Sequence, residues 1–174
     1  MVKDDQLISD LSLVRHPEGG WFRRTYESAQ SLGLERGERA CASSIIYFLK
    51  ANEISCLHQL QSDEIWYFHW GSPLKIHQFA SGYYSRIILG TDFVRQNQVQ
   101  HIIDAGTVFG AECMGEERGT LISCMVSPGY DEADFSWART EELLGSYPEQ
   151  QEIIEKLSPK IICVTTSDLV EGFL

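Results

Sequence analysis

The chain has 174 residues, of which 43% are hydrophobic, which is enough for one well-buried core and too few for two ordinary domains. Its 25 acidic and 14 basic residues give a formal net charge of −11, which disfavours nucleic acid and anionic membranes as partners. The first residues, MVKDDQLISDL, carry acids where a signal peptide requires a basic region, and no apolar run is long enough for a transmembrane helix. We therefore expect one cytoplasmic domain over residues 1–174.

The predicted elements begin with a short helix and continue as strands. Leu7, Leu11 and Val14 recur at helical spacing behind two acids, and the turn-forming HPEGG that follows ends this helix. From Trp21 onward, short runs of aromatic and branched residues between turn signals predict strands. These runs are WFRRTYES, SSIIYFLK, ISCLHQL, EIWYFHW, LKIHQFA, YYSRIIL, VQHII, TVFGAEC and TLISCMV. Many short strands at near-regular spacing indicate an all-β sandwich or barrel.

Two further segments complete the pattern. The polar stretch Ser28–Arg39 predicts one long loop and a mobile cover. Helical character returns near the C-terminus. TEELLGSY begins with Thr140, which is the predicted N-cap, and PEQQEIIEKL carries Pro148 in its first turn.

One strand-like stretch has the spacing of a binding site. In HQLQSDEIWYFHWG, His58 lies six residues before Glu64, and Gly71 lies seven residues after it. This spacing resembles the first motif of the cupin superfamily, in which HxH is followed by a glutamate and then a glycine. Leu60 stands where the second histidine of that motif is expected.

The second cupin motif resembles DAGTVFG, in which Gly106 matches, Asp104 replaces the usual proline and Phe109 replaces the usual histidine. Longer strings are similar to a branch of uncharacterised cupins catalogued as a domain of unknown function. They are HPEGGWFRRTYES, SSIIYFL, DEIWYFHWGSPL and SPGYDEADFSWARTEELLGSYPE. The resemblance ends near Leu157 and leaves the C-terminal extension 160–174 unmatched. It implies a double-stranded β-helix jelly roll with a barrel pocket, commonly paired as a homodimer, and it leaves the reaction open.

A transition metal in this fold needs about four ligands, usually three imidazoles and one carboxylate. His58 and Glu64 supply two of them, whereas Leu60 and Phe109 cannot coordinate a metal, so we expect neither a metal nor another cofactor. A rebuilt site would require a histidine from another strand. His77 and His101 are the two whose orientation the sequence leaves open.

Strand alternation divides the residues after Glu64 between two faces. Glu64, Trp66 and Phe68 share the face that the cupin motif places toward the barrel, and His69 takes the other face. We expect Trp66, Phe68 and Phe109 to line the pocket with His58 and Glu64. In an enzyme, His58 would act as general base with Glu64 setting its tautomer, and a tyrosine would act as acid. Tyr47 is one candidate acid, and Tyr83 and Tyr84 are the others.

Other strands supply further candidates. Arg23 is predicted either to bind a ligand carboxylate or phosphate at the pocket mouth or to form a surface or interface ion pair with one of the many acids. Its neighbour Arg24 faces the opposite way. The string SPGYDEADF predicts that Tyr130, Asp131 and Phe135 close one side of the cavity.

Three functions fit these residues. The first is binding of a small polar or carbohydrate-like molecule in an aromatic barrel pocket without a transition metal. The second is a metal-independent isomerase or epimerase of the sugar-nucleotide type, and the third is a degenerate metal-dependent dioxygenase. A purely structural or interaction role has only the expected homodimer and the unmatched C-terminal residues in its favour.

Overall fold

The computed structural model describes residues 3–159, which form thirteen strands and three α-helices. The helices are α1 (Asp4–Asp10), α2 (Thr140–Ser146) and α3 (Gln151–Leu157). The strands are β1 (Val14–Arg15), β2 (Trp21–Glu27), β3 (Ser31–Leu34), β4 (Gly37–Ala40), β5 (Ser43–Leu49), β6 (Ile54–Leu60), β7 (Asp63–Gly71), β8 (Leu74–Ala80), β9 (Tyr83–Leu89), β10 (Gln100–Ile103), β11 (Val108–Cys113), β12 (Thr120–Ser127) and β13 (Phe135–Trp137). Single 3-10 turns occupy Phe93–Arg95, Glu132–Asp134 and Pro148–Gln150.

Two antiparallel sheets form a jelly-roll-like sandwich, which confirms the predicted all-β fold class. One sheet has the order β1-β2-β5-β12-β7-β10, and the other has the order β13-β6-β11-β8-β9. The central core lies between them, where Trp66 and Ile122 of the first sheet join Phe109 and Ile76 of the second. Non-sequential neighbours in both sheets bring strands distant in sequence together at this core.

The helices cover the outer faces of the sheets. The apolar side of α1 carries Ile8, which packs with Leu13 onto Phe48 of the first sheet. Leu143 of α2 and Ile154 of α3 cover the second sheet. These are the short N-terminal helix and the C-terminal helices that the sequence predicts. No helix within residues 3–159 is long and apolar enough to cross a bilayer.

The structure corrects three details of the sequence interpretation. The stretch Ser28–Arg39 is not a long loop, because β3 and β4 pair in it as a hairpin around a two-residue turn. Thr140 is the first residue of α2 rather than its cap, and its hydroxyl contacts Ser158. The helix α1 ends at Asp10, before HPEGG begins. The expected C-terminal extension, 160–174, lies outside the described residues.

An ion pair fixes the hairpin to the segment that follows β12. The Arg39 guanidinium donates to both carboxylate oxygens of Asp134 at 2.9 Å, and Arg36 donates to the same carboxylate at 3.0 Å. Arg39 and Asp134 are both buried. The hairpin therefore holds the loop that carries Tyr130 and Phe135, the two residues predicted to close the barrel.

Candidate functional site

Strand β7 presents its side chains as the alternation predicts. Glu64 and Trp66 are buried toward the barrel interior, and Phe68 is partly buried against the central core. His69 is exposed on the opposite face, where its Nε2 lies 2.8 Å from the Ser123 hydroxyl. The structure thus brings three of the predicted lining residues to one face and keeps His69 out of the site.

A β-bulge in β6 sets the position of His58. Phe109 pairs with His58 and Ala111 pairs with Ser55, so β6 has one more residue than β11 between these pairs. The extra residue turns both Ser55 and His58 inward. Gly110 permits the close approach, because a Cβ atom there would lie 2.9 Å from the Ser55 carbonyl oxygen.

The same bulge fixes the tautomer of His58. Its Nδ1 lies 2.7 Å from the Cys56 carbonyl oxygen, which can only accept a hydrogen bond, so Nδ1 carries the hydrogen. In the neutral ring Nε2 is then the unprotonated nitrogen. It lies 3.4 Å from Oε2 of Glu18, an acid that sequence reasoning did not select.

Glu18 and His16 reach the barrel on the HPEGG turn. Gly19 and Gly20 have φ angles of +111° and +71°, and a Cβ atom at Gly19 would lie 2.2 Å from the Ile54 carbonyl oxygen. The turn closes through a hydrogen bond from His16 N–H to the Gly20 carbonyl oxygen, 3.0 Å long. The Glu18 carbonyl oxygen accepts from the Cys56 N–H at 2.8 Å, which attaches the turn to the bulge. Only these glycines allow the approach that carries both side chains inward.

Burial dominates the electrostatics of this cluster. It raises the pKa of Glu18 to about 8 and that of Glu64 to about 7, and the imidazole of His58 opposes the second shift only in part. Burial also lowers the pKa of His58, and it lowers that of His16 to about 3. Near neutral pH the contact between Glu18 and His58 therefore joins a carboxylic acid to a neutral imidazole rather than two charges.

Aromatic rings enclose the cluster. The Phe109 ring lies on one side of His58 with a centroid separation of 4.2 Å, and Phe135 stacks on it at 5.6 Å. Trp66 meets Phe109 edge to face at 5.9 Å, and Tyr47 meets Trp66 at 6.0 Å. Phe109 and Phe135 thus contact His58, and Trp66 and Tyr47 continue the aromatic cluster beyond Phe109.

The Tyr47 hydroxyl and the Trp66 N–H differ in whether they have a hydrogen-bond acceptor. The Tyr47 hydroxyl donates to the Gly19 carbonyl oxygen at 2.7 Å, and burial raises its pKa well above the ordinary value. Trp66 Nε1 is buried and has no hydrogen-bond acceptor of standard geometry within residues 3–159. This N–H lies close enough to Glu64 to lower the pKa of that carboxyl. The proton of Tyr47 is therefore engaged with the backbone, and the indole N–H is available to another group.

The structure corrects the placement expected for Arg23. Alternation from buried Phe22 points Arg23 outward, where its Nε donates to the Leu11 carbonyl oxygen at 2.8 Å. Arg24 takes the other side, and with Tyr130, Asp131 and neighbouring acids it lines a surface cleft of about 420 Å³. Tyr130 also lies close enough to Glu18 for that carboxyl, after burial, to help raise its pKa to about 12. Tyr130 is therefore the residue that this cleft shares with the surroundings of Glu18.

The remaining histidine and tyrosine candidates belong to other places. His77 is buried between Tyr84, whose hydroxyl lies 2.7 Å from Nδ1, and Glu112, 3.3 Å from Nε2. His77 pairs with Gly110, the neighbour of inward-facing Phe109, and so faces outward. His101 contacts Gln78, and Tyr83 is largely exposed. The second histidine near Glu18 is therefore His16, and neither His77 nor His101 belongs to the cluster.

The cupin metal site does not fit the residues in these positions. Leu60 and the Phe109 ring occupy the two places where the family motifs carry imidazoles, and Nδ1 of His58 is bonded to a carbonyl oxygen. Nδ1 of His16 accepts the backbone N–H of Glu18 at 3.2 Å. In the part of the chain that the structure describes, no three histidine, cysteine or acidic side chains are arranged to hold a metal ion.

A two-sheet jelly roll that encloses a histidine and a glutamate on consecutive strands, one in each sheet, defines a protein of the cupin type. A family model described as the cupin superfamily (DUF985) matches residues 5–138, and the chain belongs to this family. It is similar to the uncharacterized protein YML079W of Saccharomyces cerevisiae, with 27% identity over 155 residues, which cover 80% of this chain and 77% of the yeast protein.

Two solved structures are also similar over nearly their whole length. Protein SO0799 from Shewanella oneidensis is 34% identical with a TM-score of 0.83, covering 91% of this chain and 99% of its own. A hypothetical protein from Leishmania major is 29% identical with a TM-score of 0.83, covering 91% and 100%. These likenesses confirm the fold and the family, and none of these names states an activity.

Proposed function

We propose that this cupin binds a small polar molecule beside His58, Glu18 and Glu64, without a transition metal. The observation that carries the proposal is the buried N–H of Trp66, which has no acceptor in the described chain. Buried polar groups in folded proteins are nearly always hydrogen-bonded, and such an N–H beside a polar cluster is what a ligand atom would satisfy.

The spacing of the cluster supports the same function. Glu18 Oε2 lies 3.4 Å from His58 Nε2, 3.8 Å from His16 Nδ1 and 3.5 Å from the Ser55 hydroxyl. These separations are at or beyond the limit of a good hydrogen bond. The acid therefore retains hydrogen-bonding capacity, and its side chain keeps about 12% of its surface accessible.

A thermal-shift screen tests the proposal on the full chain with amines, polyols and small carboxylic acids. Compounds that raise Tm of the wild type should raise it equally in His69→Ala, whose ring lies outside the barrel, and much less in His58→Ala. Loss of a hydrogen bond to a polar ligand group weakens binding by about 1.5 to 3 kcal/mol, roughly tenfold to a hundredfold. An unchanged ligand response in a strongly destabilised His58→Ala would identify His58 as a core residue and contradict the proposal.

The second candidate function is an isomerase or epimerase that moves a proton next to a carbonyl. The fixed tautomer of His58 favours it, because Nε2 is free to accept a proton and Glu18, with its raised pKa, is an acid 3.4 Å away. In that reaction Nε2 would take the carbon-bound proton and Glu18 would return one. Solvent deuterium appearing at that carbon in wild type and not in His58→Ala would support this activity over binding alone.

A further inference from the structure

We propose that the molecule bound in the barrel is a small organic cation, held by Glu18 and Glu64 among the aromatic rings around His58. The inference rests on the proposed function, since it names the ligand class for that site.

The buried groups of the barrel supply acids without a matching cation. Among the buried residues of 3–159, the one lysine or arginine is Arg39, and Asp134 neutralises it in the hairpin contact. Arg23, which the sequence suggested for an anion, points outward to a backbone carbonyl oxygen. Arg24 lies on the other side of the strand, in the cleft with Tyr130, and donates to Glu27. Among the buried groups themselves, a carboxylate or phosphate ligand would therefore meet two acids and no lysine or arginine.

A bound cation would change the protonation state of Glu18 and Glu64. Burial without a counter-charge favours their neutral forms, and an ammonium group beside them would favour the carboxylates. The groups that face the two acids are neutral or polar. They are His16, His58, Ser55, Tyr47, Tyr130, Cys124 and Trp66.

The rings add an attraction that is specific for positive charge. Phe109 and Phe135 contact the imidazole of His58, and Trp66 packs edge to face on Phe109. A cation over an aromatic face gains energy that a neutral molecule of the same shape does not. Acids and rings together therefore select for charge as well as size.

The surface cleft that contains Tyr130 is also negatively charged. The cleft of about 420 Å³ is lined by Glu27, Asp131 and Glu132, with Arg24 as its one basic residue. Arg24 donates to Glu27 at 2.6 Å, so the lining is net negative. Tyr130 belongs to this cleft, and the Glu18 carboxyl helps to raise its pKa. This charge attracts a cation to the face of the protein that carries Tyr130, and it repels an anion.

Calorimetric titration of the full chain with matched probes tests the inference. Choline is compared with 3,3-dimethylbutan-1-ol, which has the same shape with carbon in place of the charged nitrogen, and ethanolamine is compared with ethylene glycol. At least one cation should bind about tenfold more tightly than its neutral partner. In two buffers of different ionisation enthalpy at pH 7, that binding should release protons from the acids.

Variants assign the effect to the barrel. Glu18→Gln and Glu64→Gln should each weaken cation binding about tenfold or more, while Glu149→Gln, an exposed acid, should bind as wild type does. Phe135→Leu removes a half-buried ring without changing charge, and it should weaken the cation more than its neutral partner.

Equal or tighter binding of the neutral partners would overturn the cation assignment and leave the proposed small-molecule binding intact. Binding of none of the four probes would also overturn it. The broader screen with His58→Ala then decides the proposed function separately.

Discussion

Replacement of Glu18 by glutamine tests whether the barrel holds this carboxyl as a neutral acid. Burial raises its pKa from the ordinary 4.5 to about 8, so between these values the folded chain keeps a proton that the unfolded chain releases. The stability that this proton contributes is complete below pH 4.5 and is lost as pH rises through about 8. Each pH unit in this window lowers the free energy of unfolding by about 1.4 kcal/mol, up to about 5 kcal/mol in total.

Glutamine keeps the size and hydrogen bonding of the protonated acid and does not titrate. The stability of Glu18→Gln relative to wild type should therefore increase as pH rises from 5 to 8. His16 acts in the opposite direction, because its pKa is lowered to about 3 and it costs stability as pH falls below 6.5. Both proteins contain His16, so its own titration cancels in the difference. Ionised Glu18 helps to raise the pKa of Glu64, and the loss of this repulsion in Glu18→Gln changes the difference in the same direction.

Urea unfolding followed by tryptophan fluorescence at each pH unit from 5 to 9 measures this difference, with Glu149→Gln as the control for loss of an exposed acid. Parallel pH profiles for wild type and Glu18→Gln would refute the reasoning, since they would mean that Glu18 titrates alike in the folded and unfolded chain.

Three further predictions concern the turn, the metal content and the assembly. Gly19→Ala should lower Tm strongly, because the new Cβ atom would lie 2.2 Å from a carbonyl oxygen. Gly33→Ala is the control and should leave Tm nearly unchanged, because nothing lies within 4 Å of a Cβ atom there. Equal melting curves for the two variants would contradict the role of the turn. Elemental analysis after dialysis should find far less than one transition metal per chain, and a value near one would count against the apolar replacements at the motif positions. We expect a homodimer by light scattering, with Ile102→Lys shifting it toward monomer, because Ile102 is 50% exposed on the outer strand of the first sheet; a wild-type monomer at micromolar concentration would contradict this.

The sequence predicts the part of the site that lies on regular strands. His58 and Glu64 follow from motif spacing, and the orientation of His69 follows from alternation. The choice between Arg23 and Arg24 required the position of Phe22, whose burial decides which of the two arginines faces inward. Alternation alone says only that they differ.

The missed half of the site lies in a turn. HPEGG has the composition of a connection, and proline and paired glycines indicate a change of chain direction. Its two polar residues, His16 and Glu18, enter the barrel because the glycines let the turn approach Ile54, a contact that is non-local and invisible in the spacing. A histidine and a glutamate flanking a proline ahead of two glycines were the available signal. Likewise, the hairpin of Ser28–Arg39 lacks the asparagine-glycine turn that would have announced it.

The origin of the site from both ends of the fold has a consequence for the order of folding. Glu18 precedes β2, whereas Tyr130 and Phe135 follow β12, so more than a hundred residues separate parts that meet around His58. Contacts of such large sequence separation close costly loops and form slowly. We expect the sandwich to gain most of its strand pairing before these groups meet, so Trp66 should reach its native fluorescence later than the far-ultraviolet circular dichroism signal reaches its final value. A newly made chain would then pass through a stage in which the two sheets are formed and the side chains of the candidate site have not yet come together.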